Sequence, residues 1–247
     1  MKIVAVIQAR LGSTRFPGKV FADLSGKPLI WHVIERIKFS KFINEIVLAT
    51  TTNPIDNELA EWAQKNDIKC FRGSENNVLE RFYFAAKKYD ATVVVRITAD
   101  DPFKDPKIID SVITMLVNNN LQFAYNNNPP TFPEGLDTEV FLFSSLERAY
   151  KESNDDFEKE HVTQYFYRHP ELFKQENIFN HTNLSYLRWT IDTEMDYKMV
   201  KKIYSELYLD GKIFYFQDII SFLNKHPEIS KININVERSE MYKNLLK

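Results

Sequence analysis

Short apolar runs and helical repeats alternate along the first half of the chain. The candidate strands are apolar and rich in β-branched residues, and they cover residues 3–7, 45–50, 69–71, 92–98 and 121–125. The candidate helices repeat apolar residues at helical spacing, and they cover residues 28–37, the segment that Asn53 and Pro54 open, residues 78–89 and the segment from Asp105 to about Val117. Because strands that alternate with helices pair mainly in parallel and are covered on both faces, the pattern predicts an α/β fold. Its sheet is expected to be Rossmann-like, mixed and mainly parallel, with helices on both faces.

The second half departs from this simple alternation. Residues 126–130 form a predicted loop, and a helix is predicted from Glu160 to the residue before Pro170. Residues 187–192 are predicted to form a strand. The helix after that strand has a predicted inward face of Met195, Met199, Ile203 and Leu207. Because no linker separates these segments, residues 1–247 are predicted to form a single domain whose part from about residue 197 is helical and ends in a tail.

A basic loop, residues 8–19, follows the first candidate strand. Arg10, Arg15 and Lys19 place three cations in it, and no acidic residue occurs before Asp23. Because ligands of open α/β sheets bind at the carboxyl ends of strands, and guanidinium forks bind phosphate oxygens in pairs, this composition favours a polyphosphate ligand. The residues that would let the backbone approach phosphate, or donate hydroxyls to it, are Gly12, Ser13, Thr14 and Gly18. On charge alone, a solvated basic loop is the simpler interpretation.

Two adjacent acids, Asp100 and Asp101, follow the most apolar candidate strand, at the same predicted edge of the sheet as the basic loop. An Asp that precedes Pro commonly starts a turn, which gives a structural interpretation for Asp101. For Asp100 we favour metal binding, because Mg²⁺ on a nucleoside triphosphate is usually held by one or two carboxylates together with phosphate oxygens and water.

The charge balance restricts the class of partner. A net charge of -2 and a pI near 6.2 argue against nucleic-acid binding and against a polybasic membrane surface, so small anionic substrates are expected at the basic loop. No apolar run approaches the roughly 18 residues that cross a bilayer, and the N-terminus lacks a signal-peptide layout, so we expect no membrane partner and a cytoplasmic location. The single cysteine, Cys70, has no disulfide partner and no ligands at metal spacing. Aromatic residues of the second half fit a homodimer face or a sugar-stacking wall, although ordinary core is the simpler interpretation.

The basic loop also resembles a known family signature. Its sequence, Gln-Ala-Arg-Leu-Gly-Ser-Thr-Arg-Phe-Pro-Gly-Lys, and the continuation Gly-Lys-Pro-Leu at residues 26–29 resemble nucleotidyltransferases that make CMP-activated sugars, such as CMP-KDO synthetase and acylneuraminate cytidylyltransferase. The spore coat polysaccharide biosynthesis branch is the most similar, with Phe16 where Leu is more usual. The resemblance implies a nucleotide-diphospho-sugar transferase fold, CTP as substrate and Mg²⁺ as cofactor. It implies nucleotide-binding roles for Gln8, Ala9, Arg10, Gly12, Ser13, Thr14, Arg15 and Lys19.

A second segment resembles the part of the family that borders the nucleotide. Residues 72–81 resemble its motif Arg-Gly-Ser-x-x-x-Val-Leu-x-Arg. The resemblance implies that Ser74, Asn77 and Arg81 contact the cytosine or the ribose. A capped helix with Asn77 as its N-cap and an exposed Arg81 is an equally good interpretation.

Both predicted metal ligands follow from the resemblance as well. Asp100 matches the family's Asp that holds Mg²⁺ at the end of a strand. Residues 191–197 resemble the family's Val-Asp-Thr-Pro-Glu-Asp-Leu, in which the first Asp completes the Mg²⁺ site, and this implies that Asp192 is the second ligand. Glu194 replaces the usual Pro there. Without the resemblance, Asp192 would be interpreted as a helix N-cap.

Three residues are predicted to bind the acceptor. The segment 133–141 resembles the branch's Pro-x-Gly-x-Asp-x-Glu-Val-Phe, which lies beside the acceptor, and Asp137 and Glu139 alternate along it so that both could face the pocket. His161 lies in a Glu-His-Val-Thr that the same branch has in this position. A lone His at a helix start is more often structural than a catalytic base, so His161 is given no base role.

Together these features predict a CTP-dependent cytidylyltransferase. An acceptor oxygen would attack the α-phosphorus in line, while Arg10, Arg15 and Lys19 stabilise the leaving pyrophosphate and Mg²⁺ on Asp100 and Asp192 binds the α-phosphate. The alternatives are a nucleotidyltransferase that uses another NTP or a phosphorylated acceptor, a glycosyltransferase that consumes a nucleotide sugar, and an inactive relative that serves as a binding subunit. The acceptor itself is left open. The cations available for an acceptor carboxylate are Lys159, Arg168 and Arg188.

Overall fold

A mixed sheet forms the centre of the molecule, and the structure, a computed structural model, describes residues 1–238. The strands are β1 (Ile3–Gln8), β2 (Asp23–Leu24), β3 (Lys27–Pro28), β4 (Glu45–Thr51), β5 (Lys69–Gly73), β6 (Val93–Thr98), β7 (Phe123–Tyr125), β8 (Glu139–Leu142) and β9 (Gln175–Asn177). Within these residues, seven strands form the sheet in the order β5-β4-β1-β6-β8-β7-β9, and β2 and β3 form a separate hairpin.

Most neighbours in the sheet are parallel. β1 pairs in parallel with β4 and β6, β4 with β5, and β7 with β9, whereas β8 is antiparallel to both β6 and β7. The register places Gln8 opposite Thr98, and Arg96 opposite Glu139 on the other side of β6. Because β1 and β6 are parallel neighbours, the segments that follow them begin at the same edge of the sheet.

Helices cover both faces of the sheet, so the predicted fold class is confirmed. They are α1 (Leu29–Ile37), α2 (Asn57–Lys65), α3 (Val78–Lys88), α4 (Pro106–Asn118), α5 (Phe143–Glu152), α6 (Asp156–Glu160), α7 (Gln164–Arg168), α8 (Glu194–Leu207), α9 (Phe216–Lys225) and α10 (Pro227–Ser230). Single 3-10 turns cover Lys19–Phe21, Pro54–Asp56 and Pro170–Leu172. None of the helices in residues 1–238 has the length and apolar character that spanning a membrane requires.

Side-chain alternation along the strands divides the core into two layers. Ala5 and Ile7 point to one face, where α1, α4, α8 and α9 pack, and Val4 and Val6 point to the other, where α3, α5 and α7 pack. This is the arrangement that apolar runs without polar alternation predict, since a strand with helices on both sides buries every side chain.

The first half follows the sequence prediction closely, with two differences. The hairpin of β2 and β3, between the basic loop and α1, was not predicted. The helix expected to open at Asn53 and Pro54 begins only at Asn57, because Pro54–Asp56 forms a 3-10 turn, and Ile55 in that turn is 55% exposed.

The second half differs more. Glu160 ends α6 instead of opening a helix, because Val162, with a φ of 38°, interrupts the chain before α7 begins. Residues 187–192 do not form a strand and have a single isolated bridge, between Arg188 and Glu134. Met195 is 41% exposed instead of inward-facing. The buried face of α8 consists of Asp196, Met199, Val200, Ile203 and Tyr204. The prediction of one domain extends to residues 239–247, which lie outside the described residues, and it stays a prediction.

Candidate active site

A cleft of about 930 Å³ opens at the carboxyl ends of β1 and β6. Its lining includes every residue that the sequence assigned to the nucleotide: Gln8, Ala9, Arg10, Gly12, Ser13, Thr14, Arg15, Lys19, Ser74, Asn77 and Arg81. Asp100, Asp192 and His161 line the same cleft. Folding therefore brings together residues that lie in five separate parts of the chain.

The basic loop is held in place by buried contacts on its inner side. The backbone N–H of Leu11 donates to Asp56 Oδ1 at 2.7 Å, and Asp56 is 1% exposed. Gly18 has a φ of 69°, a left-handed conformation that favours glycine, and it immediately precedes the short turn Lys19–Phe21. These contacts direct Lys19 into the cleft, and the part played by Asp56 had no signal in the sequence.

Lys19 joins the two aspartates that the sequence separates. Its Nζ donates to Asp100 Oδ2 at 2.7 Å, to Asp192 Oδ1 at 2.8 Å and to the carbonyl oxygen of Ile191 at 2.9 Å. Burial opposes the charge on Lys19, but the two carboxylates outweigh it and raise the pKa of the ammonium. Burial likewise opposes ionisation of Asp192, and Lys19, Arg15 and Arg188 outweigh it and lower the pKa of that carboxyl.

The two arginines of the loop reach over the cleft from its outer side. A guanidinium nitrogen of Arg15 lies 3.1 Å from Asp192 Oδ2, and one of Arg10 lies 3.9 Å from Glu75 Oε1. Both side chains are about half exposed, at 53% and 50%. Such exposed ion pairs are weak, so either guanidinium can exchange its carboxylate partner for a phosphate at little cost.

Only the first member of the Asp100–Asp101 pair faces the cleft. The Asp101 carboxylate accepts a hydrogen bond from the Thr98 hydroxyl and lies 2.9 Å from the buried Nζ of Lys104. Burial raises the pKa of Asp101. This agrees with the structural interpretation of Asp101 as a turn residue.

The segment between β5 and α3 combines both interpretations given to it. The Asn77 side chain accepts from the backbone N–H of Glu80 at 2.9 Å and caps α3, while Ser74 Oγ accepts from the backbone N–H of Asn77 at 3.0 Å. The capped-helix interpretation expected an exposed Arg81, but Arg81 is only 3% exposed. Burial lowers the pKa of its guanidinium to about 10. Its Nε is buried without a hydrogen-bond partner among the described residues. All three side chains still border the cleft.

Asp137 and Glu139 do not line the cleft, contrary to the expectation that both face it. Glu139 is 3% exposed and accepts hydrogen bonds from Arg96, from Thr163 Oγ1 at 2.8 Å and from Tyr167 Oη at 2.8 Å. Asp137 lies in a buried turn, and its backbone carbonyl accepts from Lys104. The physical reason is that long-range partners draw each acid beneath the cleft, which alternation along the chain cannot reveal. Direct binding of an acceptor by either acid stays a prediction.

Arg96 is a cleft residue that the sequence analysis missed. It lies on β6, and Arg96 and Thr98 on this strand, together with Asp100 two residues beyond it, alternate with buried residues and line the cleft. Its Nε donates to Gln8 Oε1 at 3.2 Å, and one terminal nitrogen donates to Glu139. A cation within the most apolar strand was the available signal. α6 and the residue that follows it also line the cleft, with Asp156, Lys159, Glu160 and His161. Burial lowers the pKa of His161.

The segment that carries Asp192 is docked by the turn at Gly135. Gly135 has a φ of 104°, and a Cβ there would lie 2.9 Å from the backbone nitrogen of Thr190 and 2.9 Å from the carbonyl carbon of Trp189. The neighbouring Glu134 pairs its backbone with that of the segment, donating to the Leu187 carbonyl at 3.0 Å and accepting from the Trp189 N–H at 2.8 Å. The sequence related this turn to the acceptor, whereas in the structure it contacts the segment that carries Asp192.

The site has the donor chemistry that a magnesium ion requires. Two carboxylate oxygens and the Ile191 carbonyl oxygen converge within 2.9 Å of the Lys19 ammonium, so a cation already occupies their common focus. These are hard oxygen donors, and Mg²⁺ typically takes one or two carboxylates and completes its shell with phosphate oxygens and water. No group of three or more His, Cys, Asp or Glu residues within residues 1–238 could hold a metal ion alone. A metal bound here would therefore depend on the nucleotide for its remaining ligands.

Comparison with known proteins identifies the family. Residues 4–228 match the cytidylyltransferase family. The spore coat polysaccharide biosynthesis protein SpsF of Bacillus subtilis is 31% identical over 232 residues, which are 92% of this chain and 95% of the relative. The 3-deoxy-manno-octulosonate cytidylyltransferase of Geobacter sulfurreducens is 34% identical over 119 residues, 48% of this chain and 47% of the relative. A solved structure of a cytidylyltransferase from Leptospira borgpetersenii superposes with a TM-score of 0.89 and 35% identity, over 97% of this chain and 99% of that one. The chain therefore belongs to the cytidylyltransferase family, as its basic loop predicted, and is a CTP-dependent cytidylyltransferase.

Proposed function

We propose that this cytidylyltransferase transfers CMP from CTP to a sugar acid or a similar small acceptor, with release of pyrophosphate, in the synthesis of a cell-surface polysaccharide or glycan. The observation that carries the proposal is the contact of Lys19 with Asp100 and Asp192, at 2.7 and 2.8 Å, beneath a loop with two further cations. A metal-bound triphosphate needs this combination, because its metal requires carboxylates and its phosphates require cations within a few ångströms of each other.

At the phosphate end, the basic loop supplies the positive charge. Arg10, Arg15 and Lys19 bind the β- and γ-phosphates and stabilise the charge that develops on the departing pyrophosphate. The half-exposed Arg10 and Arg15 can turn from their present carboxylate partners to the phosphates. At the other end of the nucleotide, Ser74, Asn77 and Arg81 border the space for the ribose and the cytosine.

Asp100 and Asp192 would hold Mg²⁺ once the nucleotide brings phosphate oxygens to the site. When bound there, Mg²⁺ would neutralise charge at the α-phosphate and would lower the pKa of an acceptor hydroxyl. Bond formation between the acceptor oxygen and the α-phosphorus breaks the bond to the bridging oxygen of pyrophosphate, and the hydroxyl proton passes to solvent. The side chains of the cleft contribute orientation and charge stabilisation, and none of them is assigned as a general base.

The acceptor end of the cleft suits an anion. Arg96 and Lys159 both line it. Of the three cations considered from the sequence, Arg168 pairs with Asp155 and Glu158, and Arg188 is buried among carboxylates, so Lys159 is the one that lines the cleft. This supports a carboxylate on the acceptor, with Glu139 acting indirectly by holding Arg96. The same cations would accept a phosphorylated acceptor, which is the second candidate. The sequence also predicts a cytoplasmic location and a possible homodimer, and both stay predictions.

The test is a substrate panel. The protein is incubated with each of the four NTPs, Mg²⁺ and sugar acids, sugar phosphates or the matching neutral sugars, and pyrophosphate release is followed. We expect release with CTP and an acidic acceptor. Release with another NTP, or with sugar phosphates alone, would replace the proposal by its nearest alternative. Consumption of a preformed nucleotide sugar without pyrophosphate release from any NTP would indicate a glycosyltransferase.

Removing either carboxylate tests the proposed metal ligands. Asp100→Asn and Asp192→Asn should each lower kcat by about 100-fold or more, because charge stabilisation of this kind contributes several kcal/mol to the barrier. Both variants should stay folded, since each leaves Lys19 one carboxylate partner. A near-normal rate in a folded variant would remove that residue from the metal site. Thermal unfolding provides the control for folding.

A further inference from the structure

The two predicted metal ligands are held in different ways. Asp100 lies two residues beyond β6, and the Ala99 N–H just before it donates to the Gln8 carbonyl of β1 at 3.2 Å, so its backbone lies close to the central sheet. Asp192 lies in a segment outside the sheet, where the nearest backbone bond is from the Ile191 N–H to the Asp100 carbonyl at 2.8 Å. The orientation of the Asp192 carboxylate therefore depends on its side-chain partners.

Arg188 is the buried partner of that carboxylate. It is 5% exposed, and its guanidinium donates to three acids: from Nη2 to Asp192 Oδ2 at 2.9 Å, from Nη1 to Glu134 Oε1 at 2.7 Å, and from Nε to Asp196 Oδ1 at 2.9 Å. Lys19 and Arg15 also contact Asp192, but both belong to the loop that must bind phosphate. Arg188 lies outside that loop, and its other two partners, Glu134 and Asp196, are buried.

A second layer of contacts fixes Arg188 itself. Asp196 is fully buried, and its Oδ2 accepts from the backbone N–H groups of Asp192 and Thr193 at 3.1 and 3.0 Å. Asn233, in the tail, donates from Nδ2 to Asp196 Oδ1 at 2.9 Å and to the Arg188 carbonyl at 3.0 Å. Asn233 lies beyond residue 228, where the family match ends. The tail thus contacts the segment that carries Asp192 from behind the cleft.

We propose that Arg188 is a positioning residue for the metal site, and that Glu134 and the tail residue Asn233 hold it in place. Arg188 contacts Asp192 Oδ2 from the buried side, whereas Oδ1 is the oxygen that Lys19 bonds together with Asp100 Oδ2. This inference rests on the proposed function, since it assumes that Asp192 binds a divalent cation with the nucleotide. Partners of metal ligands commonly change metal affinity by about 10- to 100-fold, because they set the direction of the ligand's lone pairs.

The test measures how much a metal increases the affinity for CTP. CTP binding is titrated calorimetrically in EDTA and in Mn²⁺, which replaces Mg²⁺ and can be followed by its paramagnetic resonance. The variants are Glu134→Gln, which keeps the shape and removes the charge, and Asn233→Ala, which removes the contact from the tail. We expect each to reduce the gain from Mn²⁺ by about 10-fold while the affinity in EDTA stays within about twofold of wild type. Asp192→Asn should abolish the gain.

Arg36→Lys is the matched control for a general loss of stability. Arg36 is another buried arginine, 5% exposed, that donates to the carbonyls of Lys104 and Phe214 and does not line the cleft. It should lower the unfolding temperature and leave the gain from Mn²⁺ unchanged. Folded Glu134→Gln and Asn233→Ala proteins with the wild-type gain, or with equal losses in EDTA and Mn²⁺, would overturn the inference alone. A wild-type protein that fails to bind CTP would refute the proposed function, and the inference with it.

Discussion

Lys19 lies where three oxygen atoms converge, and its positive charge explains how the carboxylates of Asp100 and Asp192 can both lie within 2.8 Å of one point. Two carboxylates that both contact one ammonium lie close together, and their like charges repel strongly in a partly desolvated site. The ammonium neutralises them, and its own pKa is raised by them despite burial. The same three groups therefore stabilise the fold around the cleft and supply the charges that a metal nucleotide would use.

Asp137 illustrates what burial of an acid costs in stability. Burial raises the pKa of Asp137 to about 7 from an ordinary 3.8. Between these values the unfolded chain ionises and the folded chain stays protonated, so the contribution of Asp137 to stability falls as pH rises from about 4 to about 7, and above that it stays constant.

We therefore expect Asp137→Asn to stabilise the protein more at pH 8 than at pH 5. The difference should amount to a few degrees in Tm, since one pH unit in this window is worth up to about 1.4 kcal/mol. Thermal unfolding at both pH values measures it. Glu61→Gln, at an exposed position of α2, is the control and should show no such dependence. Equal effects of Asp137→Asn at pH 5 and pH 8 would contradict the assignment.

Among the secondary-structure elements, the turn before β8 does more than connect strands. It packs its backbone against Trp189 and Thr190, and the segment that contains them continues to Asp192. Any residue with a Cβ at Gly135 must push that segment away from the sheet. The position of the second aspartate thus depends on a glycine more than fifty residues earlier in the chain.

Gly135→Ala should therefore destabilise the protein and lower its activity together. The matched control is Gly26→Ala in the hairpin of β2 and β3, which has a φ of 84° but nothing within 4 Å of the added Cβ. Gly26→Ala should cost about 1–2 kcal/mol for the left-handed backbone alone. Gly135→Ala should cost at least about 2 kcal/mol more, because the added methyl meets backbone atoms that cannot rotate away. Chemical unfolding and pyrophosphate release measure both effects, and similar losses for the two variants would contradict this account.

For the molecule as a whole, the net charge is small, but charged side chains are concentrated in the cleft. The net charge is -2, yet six cations line the cleft among the described residues: Arg10, Arg15, Lys19, Arg81, Arg96 and Lys159. Five acids line it as well: Glu75, Asp100, Asp156, Glu160 and Asp192. A cleft of this kind attracts a polyphosphate locally without making the protein a general anion binder.

The affinity for CTP should consequently depend on salt. Raising NaCl from about 50 mM to about 500 mM should increase the Kd for CTP several-fold, because screening is strong at the half-exposed arginines of the loop. Arg10→Gln should weaken binding and reduce this dependence. Lys69→Gln, at the amino end of β5, where Lys69 pairs with Glu45, should do neither. A Kd that is independent of salt would indicate that the loop cations do not contact the phosphates.

Much of the fold could be predicted because its information is local. Apolar runs and helical repeats located β1, β4, β5, β6 and the helices between them. Asp105 does begin a helical segment, and Asn77 caps α3 as one of its two interpretations proposed. In the second half, irregular segments take their shape from distant partners. There the strand predicted over residues 187–192 was wrong, and the helix predicted from Glu160 to the residue before Pro170 was interrupted, with its later part confirmed as α7.

The candidate site divides in the same way. A strand followed by a basic loop, and an acid at the end of the strand beside it, could be deduced from the chain alone, because parallel strands bring such ends to one edge. Tertiary structure decided which groups meet there: Lys19 reaches Asp192 across 173 residues, Glu139 is drawn beneath the cleft by Arg96, and Asn233 supports Arg188 from the tail. Contacts over such separations depend on how whole elements pack against each other. Periodicity and residue spacing are local properties of the sequence, so they do not predict that packing.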